Sequence, residues 1–240
     1  MKRLICGPRA VTEALRAQPG EISVVYLAED PRRELKDVVE LAKKRNVTFE
    51  FRELPELELL ARGERHQGVV AIGGSYSYLS FEELLTKLPE DALVVALDEV
   101  TDPHNFGAIV RSAVAFGAHG ILTLKHRAAP VTPVVVRASA GATEHARIAR
   151  VSNLVQALDA LRERDFSVIG LAVEGARDLP ELRASGGPRV LVVGSEGRGL
   201  RRLVREHCTE LVRIPMAGPI ESLNASVAAA IALYALTTTK

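Results

Sequence analysis

The chain has 240 residues, of which 47% are hydrophobic and 25% are charged. This composition is typical of a folded globular protein and excludes a fibrous or intrinsically disordered chain. No apolar run approaches the roughly 20 residues that span a bilayer, and the N-terminal segment has no apolar stretch long enough for a signal peptide, so we expect a cytoplasmic protein without a membrane partner. Because the net charge is only +1, any nucleic acid must be bound by local basic patches.

Cysteine usage argues against a metal site. The two cysteines, Cys6 and Cys208, lie far apart and belong to no cluster of Cys and His residues with zinc-ligand spacing. We therefore expect two free thiols in a reducing compartment and no metal cofactor.

Apolar periodicity in the first third of the chain predicts a small α/β domain over residues 1–74 and a linker over 75–90. The predicted elements of this domain are helices over 9–17 and 32–45 and strands over 24–27, 47–51 and 69–72. The linker follows a polar, glycine-containing break, and it includes a short helix closed by Pro89.

Over residues 91–240, continuously apolar strands alternate with helices. The predicted strands cover 92–97, 120–124, 166–172, 190–193 and 211–214, and the predicted helices cover 106–116, 154–164, 200–207 and 223–236. This pattern is typical of a mostly parallel sheet with helices on both faces. We therefore predict a second α/β domain that binds ligands where its strands end.

The loop after the first of these strands carries Asp102 and Pro103, which suit the start of a helix. Asn105 and Arg111 follow within that helix, among Phe, Ala, Ile and Val. An arginine in so apolar a helix either extends into solvent or binds an anion, and the spacing alone favours neither.

Two later loops also stand at strand ends. The loop over 194–200 is rich in glycine, which lets backbone N–H groups approach a ligand, but it lacks the fingerprints of dinucleotide binding and of ATPases. The alternative is a tight turn with Glu196 in solvent. The loop over 214–226 leads into an alanine-rich helix, for which Ser222 is the predicted N-cap. The alanines indicate close packing against either another backbone or a partner subunit.

Together, the three loops resemble the signature motifs of the SpoU/TrmH-type RNA ribose methyltransferases of the SPOUT superfamily. The matching motifs are Asp102-Pro103-x-Asn105-Phe106-Gly107-Ala108-Ile109-x-Arg111, Gly194-Ser195-Glu196-Gly197-x-Gly199-Leu200, and Ile214-Pro215-Met216 with Ser222-Leu223-Asn224-x-Ser226-Val227-Ala228. Two N-terminal stretches, 7–15 and 66–69, resemble the substrate-binding domain of members that methylate a guanosine in the peptidyl-transferase region of 23S rRNA.

The resemblance implies an S-adenosylmethionine cofactor, a deep trefoil knot in the second domain, an obligate homodimer, and 23S rRNA or a pre-50S particle as substrate. The implied catalytic or substrate-orienting residues are Asn105, Arg111, Glu196, Ser222 and Asn224. The implied cofactor contacts are Leu122, Leu171, Ala172, Gly194, Gly197, Ile214, Met216 and Leu223. The implied RNA-binding residues are Arg9, His66, Gln67 and Arg198.

The implied reaction is in-line attack of a ribose 2′-hydroxyl on the methyl group of a sulfonium, and alignment of the reacting atoms favours it. Because a guanidinium keeps its proton, our hypothesis is that Arg111 binds the phosphate beside the target ribose instead of acting as the base. Glu196 then orients Arg111 or neighbouring amides, and Asn224 bonds the ribose.

Other functions stay open at this point. A tRNA ribose methyltransferase and a self-protecting methyltransferase of an antibiotic producer share the motifs, and a non-catalytic RNA-binding assembly factor shares the fold. We also expect the linker to let the small domain deliver RNA to the partner subunit's active site.

Overall fold

The computed structural model describes residues 3–29, 33–182 and 187–238. The chain divides into two compact units, one of residues 1–77 and 130–145 and the other of residues 78–129 and 146–240. None of the helices in the described ranges is long and apolar enough to cross a membrane. The predicted start of the second helix, at residue 32, lies outside the described residues.

The first unit is a small mixed sheet covered by helices. Its elements in chain order are β1 (Arg3–Cys6), α1 (Pro8–Ala17), β2 (Ile22–Ala28), α2 (Arg33–Lys44), β3 (Phe49–Arg52), α3 (Leu54–Ala61) and β4 (Val69–Gly73). The strand order is β1-β4-β2-β3, in which β4 runs antiparallel to both neighbours and β2 pairs in parallel with β3. Apolar side chains of α1 and α2, including Val11, Leu15 and Val38, are fully buried in the core of this unit.

The remaining elements follow the break at residues 74–80. In chain order they are α4 (Phe81–Leu85), β5 (Leu93–Asp98), α5 (Pro103–Ala115), β6 (Gly120–Leu124), α6 (Pro133–Ala138), β7 (Ile148–Val151), α7 (Leu154–Arg162), β8 (Ser167–Leu171), β9 (Arg177–Asp178), β10 (Arg189–Gly194), α8 (Arg202–Glu206), β11 (Glu210–Arg213) and α9 (Ala225–Thr238).

In the part of the chain that the structure describes, the second unit holds a parallel sheet of seven strands in the order β7-β6-β5-β10-β8-β11-β9. Strand β5 is buried along its whole length, as expected for a strand covered on both faces. Because all the pairs are parallel, the carboxyl ends of β5, β10, β8 and β11 lie side by side at one edge. The loops that carry the three motifs begin at this edge.

The segment over 130–145 was not predicted to fold with the N-terminal residues. Its helix α6 contains three consecutive valines, which favour a strand, but Thr132 caps the helix and Pro133 suits its first turn. Val136 is buried in the core of the first unit.

The predicted linker over 75–90 differs from the structure from Tyr78 onward. The Leu79 backbone N–H donates to the carbonyl of Ile148 in β7 (2.9 Å), and Leu84 of α4 is fully buried in the core of the second unit. A capping box formed by Ser80 and Glu83 starts α4. Residues 78–90 are therefore part of the second unit, because their apolar side chains complete its core.

Candidate active site

A cavity of about 330 Å³ lies at the carboxyl ends of β8, β10 and β11. Seven of the eight residues predicted to contact a cofactor line it, namely Leu171, Ala172, Gly194, Gly197, Ile214, Met216 and Leu223. The polar side chains of Glu174, Arg198 and Arg205 also line it. The cavity is thus apolar along part of its wall and charged along the rest.

The eighth predicted residue, Leu122, lies elsewhere. It sits in the middle of β6, is fully buried, and belongs to the core cluster of the second unit. Its strand, β6, lies two positions from β10 in the sheet order, with β5 between them. The Leu122 side chain therefore serves packing and is not a cofactor contact.

The glycine-rich loop after β10 folds back on itself. Backbone hydrogen bonds join Ser195 and Gly199 in both directions, at 3.2 and 3.0 Å. Gly197 and Gly199 have positive φ angles of 77° and 64°, which disfavour other residues. A Cβ atom on Gly194 would lie 2.2 Å from the carbonyl carbon of Gly199, so only glycine fits there. The loop therefore leaves its backbone open towards the cavity.

Asp98 ties the far end of this loop to β5. The fully buried Asp98 carboxylate accepts hydrogen bonds from the backbone N–H of Arg201 (2.8 Å) and from its Nε (2.7 Å). Arg201 also approaches Glu99 at 3.3 Å. Sequence reasoning missed Asp98, although a carboxylate that ends an otherwise apolar strand was a visible signal for a buried polar contact.

Three predicted catalytic side chains meet at the cavity rim. The Glu196 carboxylate accepts a hydrogen bond from the side-chain amide of Asn105 and another from that of Asn224, the latter at 2.6 Å. The Asn224 amide also donates to Asn105 Oδ1 at 3.0 Å. Of the two partners considered for Glu196, Arg111 or neighbouring amides, the carboxylate contacts the amides.

Asn224 directly precedes α9 and caps it. Its Oδ1 accepts from the backbone N–H groups of Ser226 (2.9 Å) and Val227 (3.3 Å) and from the Ser226 hydroxyl (2.6 Å). The prediction of Ser222 as the N-cap is wrong, because the helix begins at Ala225. Ser222 instead lies in the preceding loop, exposed at the cavity wall.

Arg111 lies apart from this cluster. It follows Asn105 by six residues on α5, which corresponds to about 9 Å of axial rise and to a different face of the helix. Its side chain is exposed and forms no hydrogen bond or ion pair with any residue that the structure describes. The Asp102 carboxylate caps α5 through the N–H groups of His104 and Asn105.

The predicted RNA-binding residues occupy two places. Arg9 is exposed in the first turn of α1, while His66 and Gln67 form a tight turn before β4, in which His66 Nδ1 accepts from the Gly68 N–H at 3.2 Å. A Cβ atom on Gly7, which precedes α1, would lie 3.9 Å from Gln67 Oε1, so this turn and the start of α1 are adjacent. Arg198 is exposed on the glycine-rich loop of the other unit.

Glu174, which lines the cavity, and Cys208, which follows α8, have shifted pKa values. The Glu174 pKa is lowered, chiefly by a hydrogen bond from its own backbone N–H and further by Arg205, so this carboxyl is charged at neutral pH. Burial raises the pKa of the Cys208 thiol to about 11, and this thiol donates to the Val204 carbonyl. Among the described residues, no group of three His, Cys, Asp or Glu side chains is placed to hold a metal ion.

The cavity has the chemistry that S-adenosylmethionine requires. Its apolar wall, which includes Leu171 and Leu223, suits an adenine ring, and the open glycine backbone at residue 197 offers N–H groups without a side chain in the way. Carboxylates at Glu174 and Glu196 suit a ligand that carries positive charge on its sulfonium and ammonium groups.

Comparison with known proteins agrees with this chemistry. The sequence profile of the SpoU rRNA methylase family matches residues 92–234, and the profile for RNA 2′-O ribose methyltransferase substrate binding matches residues 4–79. The chain belongs to the SpoU rRNA methylase family. The predicted α/β class, with an N-terminal substrate-binding domain before a catalytic domain, is confirmed.

Individual SpoU relatives extend over nearly the whole chain. YacO of Bacillus subtilis, named for the TrmH family of tRNA/rRNA methyltransferases, is 39% identical over 96% of this chain and 93% of its own. The SpoU methyltransferase AviRb from Streptomyces viridochromogenes, in complex with AdoMet, is 29% identical, with a TM-score of 0.79 over 98% of this chain and 89% of its own. The chain is accordingly an S-adenosylmethionine-dependent 2′-O-methyltransferase of tRNA or rRNA.

Proposed function

We propose that the protein methylates the ribose 2′-hydroxyl of a guanosine in the peptidyl-transferase region of 23S rRNA, either as free RNA or within a pre-50S particle. The choice of rRNA rests on how much of this chain is matched by a solved rRNA methyltransferase and by a solved tRNA modifying enzyme. An AdoMet-bound rRNA methyltransferase from Sinorhizobium meliloti matches 98% of this chain and 86% of its own, with 27% identity and a TM-score of 0.80. The TrmH/SpoU tRNA modifying enzyme of A. aeolicus matches 66% of this chain and 80% of its own, with 30% identity and a TM-score of 0.56.

The first unit supplies the RNA-binding surface in this proposal. Arg9 and the turn at His66 and Gln67 are polar, lie close together, and are exposed or half-buried. Arg9 forms no ion pair with the described residues, so its guanidinium is available for a phosphate. A cytoplasmic location is part of the same proposal, since the substrate is ribosomal RNA.

The cluster at the cavity rim orients the substrate. The bound cofactor supplies the methyl group as a reactive sulfonium. Glu196 holds the amides of Asn105 and Asn224 in fixed positions, and the start of α9 holds Asn224 Oδ1. Arg111 binds the phosphate beside the target ribose, which reduces the cost of charge that develops on the attacking oxygen.

The protein acts as a homodimer in this proposal. Helix α9 buries Ala229, Ala232 and Leu233 completely against α5 and β10 of its own unit, so the alanine run packs within the subunit. The same helix exposes Val227 (47%) and Ile231 (39%), one turn apart on one face. An apolar stripe of this kind on a surface helix is typical of a subunit interface.

Methyl transfer from labelled S-adenosylmethionine to two RNAs tests the substrate. We expect label on a transcript of the peptidyl-transferase region of 23S rRNA and none on unmodified tRNA. Label on tRNA alone would overturn the choice of substrate and leave the chemistry intact. If neither RNA is labelled although the cofactor binds, a pre-50S particle is the next substrate to offer. If the protein binds the 23S rRNA transcript, the tRNA or the pre-50S particle but methylates none of them, a non-catalytic assembly factor would be favoured. The intact cluster of Asn105, Glu196 and Asn224 argues against that outcome.

A further inference from the structure

A second concave surface, larger than the cofactor cavity, lies on the second unit. It is a groove of about 840 Å³ at the carboxyl ends of β6 and β7, between the segment 78–82 and the start of α7. None of its lining residues lines the cofactor cavity. The mechanism proposed above makes no use of it.

The groove is rich in basic side chains that lack acidic partners. Lys125 and His126 are exposed directly after β6, and Arg150 of β7 is half-buried. None of the three forms an ion pair with a residue in the described ranges, and Glu82 is the one carboxylate among the described lining residues. Lys125 and Arg150, two cations held together without acidic partners among the described residues, favour an anionic ligand.

Arg150 is held in a fixed position across the groove. Its guanidinium donates a hydrogen bond to the Lys125 carbonyl and stacks over the Tyr78 ring, with 4.9 Å from its central carbon to the ring centre. Asn153 caps α7 at the opposite wall, where Gln156 is exposed. A groove that combines fixed cations, an aromatic ring and side-chain amides is typical of sites that bind single-stranded RNA.

The position of the groove relates it to the reaction. Both the cofactor cavity and the groove open at the carboxyl edge of the same sheet, and β7 is three strand positions from β10. At about 4.8 Å between strands, this separation is about 14 Å. A strand of RNA with its target ribose at the cofactor cavity therefore reaches the groove with nucleotides next to the target.

We propose that this groove binds the phosphodiester backbone of the substrate RNA beside the target nucleotide, through Lys125, His126 and Arg150. The inference rests on the proposed function for its substrate class, since it takes RNA to be what the enzyme methylates. It adds a binding site on the catalytic unit itself.

Fluorescence anisotropy with a labelled, unstructured RNA oligonucleotide tests the groove on the full-length protein, at KCl concentrations between about 50 and 200 mM. We expect Lys125→Gln to weaken RNA binding about fivefold and to lower the slope of log K against log salt by about 0.7, because one phosphate contact with a single strand is lost. Lys87→Gln is the matched control, because Lys87 is also exposed, lies outside the groove and precedes β5. It should leave both the affinity and the slope close to those of the wild type.

Gln156→Glu tests the same site by replacing one side-chain amide of its wall with a carboxylate. A glutamate in the first turn of α7 favours the helix, since it lies near the positive end of the helix dipole, so the variant should keep its thermal stability. It should nevertheless weaken RNA binding several-fold, because it places a negative charge in the groove.

The outcomes separate the two proposals. Equal RNA binding by wild type, Lys125→Gln and Gln156→Glu would overturn the groove, as would equal losses in Lys125→Gln and Lys87→Gln. Displacement of the RNA by a nucleoside monophosphate at matched ionic strength would also overturn it, because the ligand would then be a free nucleotide. If 23S rRNA is not methylated but the variants still differ in RNA binding as expected, the proposed target would be overturned and the proposal for the groove would stand.

Discussion

At the scale of single residues, two side-chain amides fix the position of the Glu196 carboxylate. Oε1 of this carboxylate accepts hydrogen bonds from Asn105 and from Asn224, and the carboxylate lines the cofactor cavity. Since one oxygen accepts both bonds, a neutral amide of the same shape can keep the geometry. The charge and the geometry can therefore be tested separately.

Glu196→Gln removes the charge and keeps an acceptor oxygen. We expect methyl transfer, measured as kcat/KM for RNA, to fall by about 10- to 100-fold, or about 1.4–2.7 kcal/mol in the barrier. The melting temperature should stay within about 2 °C of wild type, because Glu196 is exposed. Glu206→Gln makes the same charge change on an exposed residue outside the cavity and should leave kcat/KM unchanged. A Glu196→Gln enzyme as active as wild type would contradict a role for the charge.

Arg111→Lys tests the phosphate contact proposed for Arg111. The exposed side chain has no partner among the described residues, so the substitution should not change thermal stability. Lysine keeps the charge and loses the planar fork that binds a phosphate through two hydrogen bonds, and we expect kcat/KM for RNA to fall about tenfold. Steady-state kinetics with full activity in Arg111→Lys would rule out the bidentate contact.

At the scale of elements, one residue joins helix stability to the site. Asn224 caps α9 with its Oδ1 and holds Glu196 with its Nδ2. The two roles use different atoms, so different substitutions separate them.

Asn224→Ser keeps a capping oxygen and removes the amide donor, whereas Asn224→Ala removes both. We expect the two variants to lose methyl transfer to a similar extent. Chemical denaturation should show Asn224→Ala to be less stable than Asn224→Ser by about 0.5–2 kcal/mol, the usual contribution of an N-cap. Retention of activity by Asn224→Ser would show that the amide is dispensable.

Sequence patterns predicted the elements whose signal is local. The continuously apolar strands β5, β6 and β10 and the capped helix α5 follow from hydrophobicity, Asp102 and Pro103. The patterns failed for α6, whose valines favour a strand until burial in the first unit is taken into account, and for the four-residue β7. They also could not separate Leu122 from true cavity residues, because an apolar strand residue looks the same in sequence whether it faces a core or a cofactor.

The site was predictable to a similar extent. The motifs brought out Asn105, Glu196 and Asn224, but the contact of Asn224 with Asn105 and the clamp of Asp98 on Arg201 join residues distant in sequence. Such contacts follow from sheet order, which local periodicity does not determine.

At the scale of the whole molecule, the exposed face of α9 predicts self-association. Val227→Glu places a negative charge on this face. Because residue 227 lies in the first turn of α9, near the positive end of the helix dipole, a glutamate there favours the helix in the isolated subunit. We expect light scattering to give a dimer mass for wild type and a lower mass for the variant. Leu203→Glu, which charges an exposed leucine (53%) on α8, should leave the mass unchanged. A dimer that persists in Val227→Glu would place the interface elsewhere.

Each unit carries a thiol with a raised pKa, buried at Cys6 and half-buried at Cys208. Burial is the main cause that raises the pKa of Cys6 to about 12 and that of Cys208 to about 11. Since the unfolded thiols lose their protons near pH 9 and the folded ones do not, this contribution to stability is complete below pH 9 and is lost as the pH rises towards 11–12. Thermal denaturation should therefore show a smaller loss of melting temperature between pH 8 and about 10.5 for the double variant Cys6→Ala/Cys208→Ala than for the wild type. Equal losses in the two proteins would contradict the raised pKa values.

The central claim is that the cluster at the cofactor cavity transfers a methyl group to a ribose oxygen. The most direct test is to locate the label after reaction of 23S rRNA with methyl-labelled S-adenosylmethionine, by alkaline hydrolysis and nucleoside analysis. We predict label in one alkali-resistant dinucleotide, since a 2′-O-methyl group blocks cleavage at its own phosphate, and on digestion to nucleosides we predict labelled 2′-O-methylguanosine. Label on a base, or label that Glu196→Gln incorporates as fast as wild type, would contradict the account.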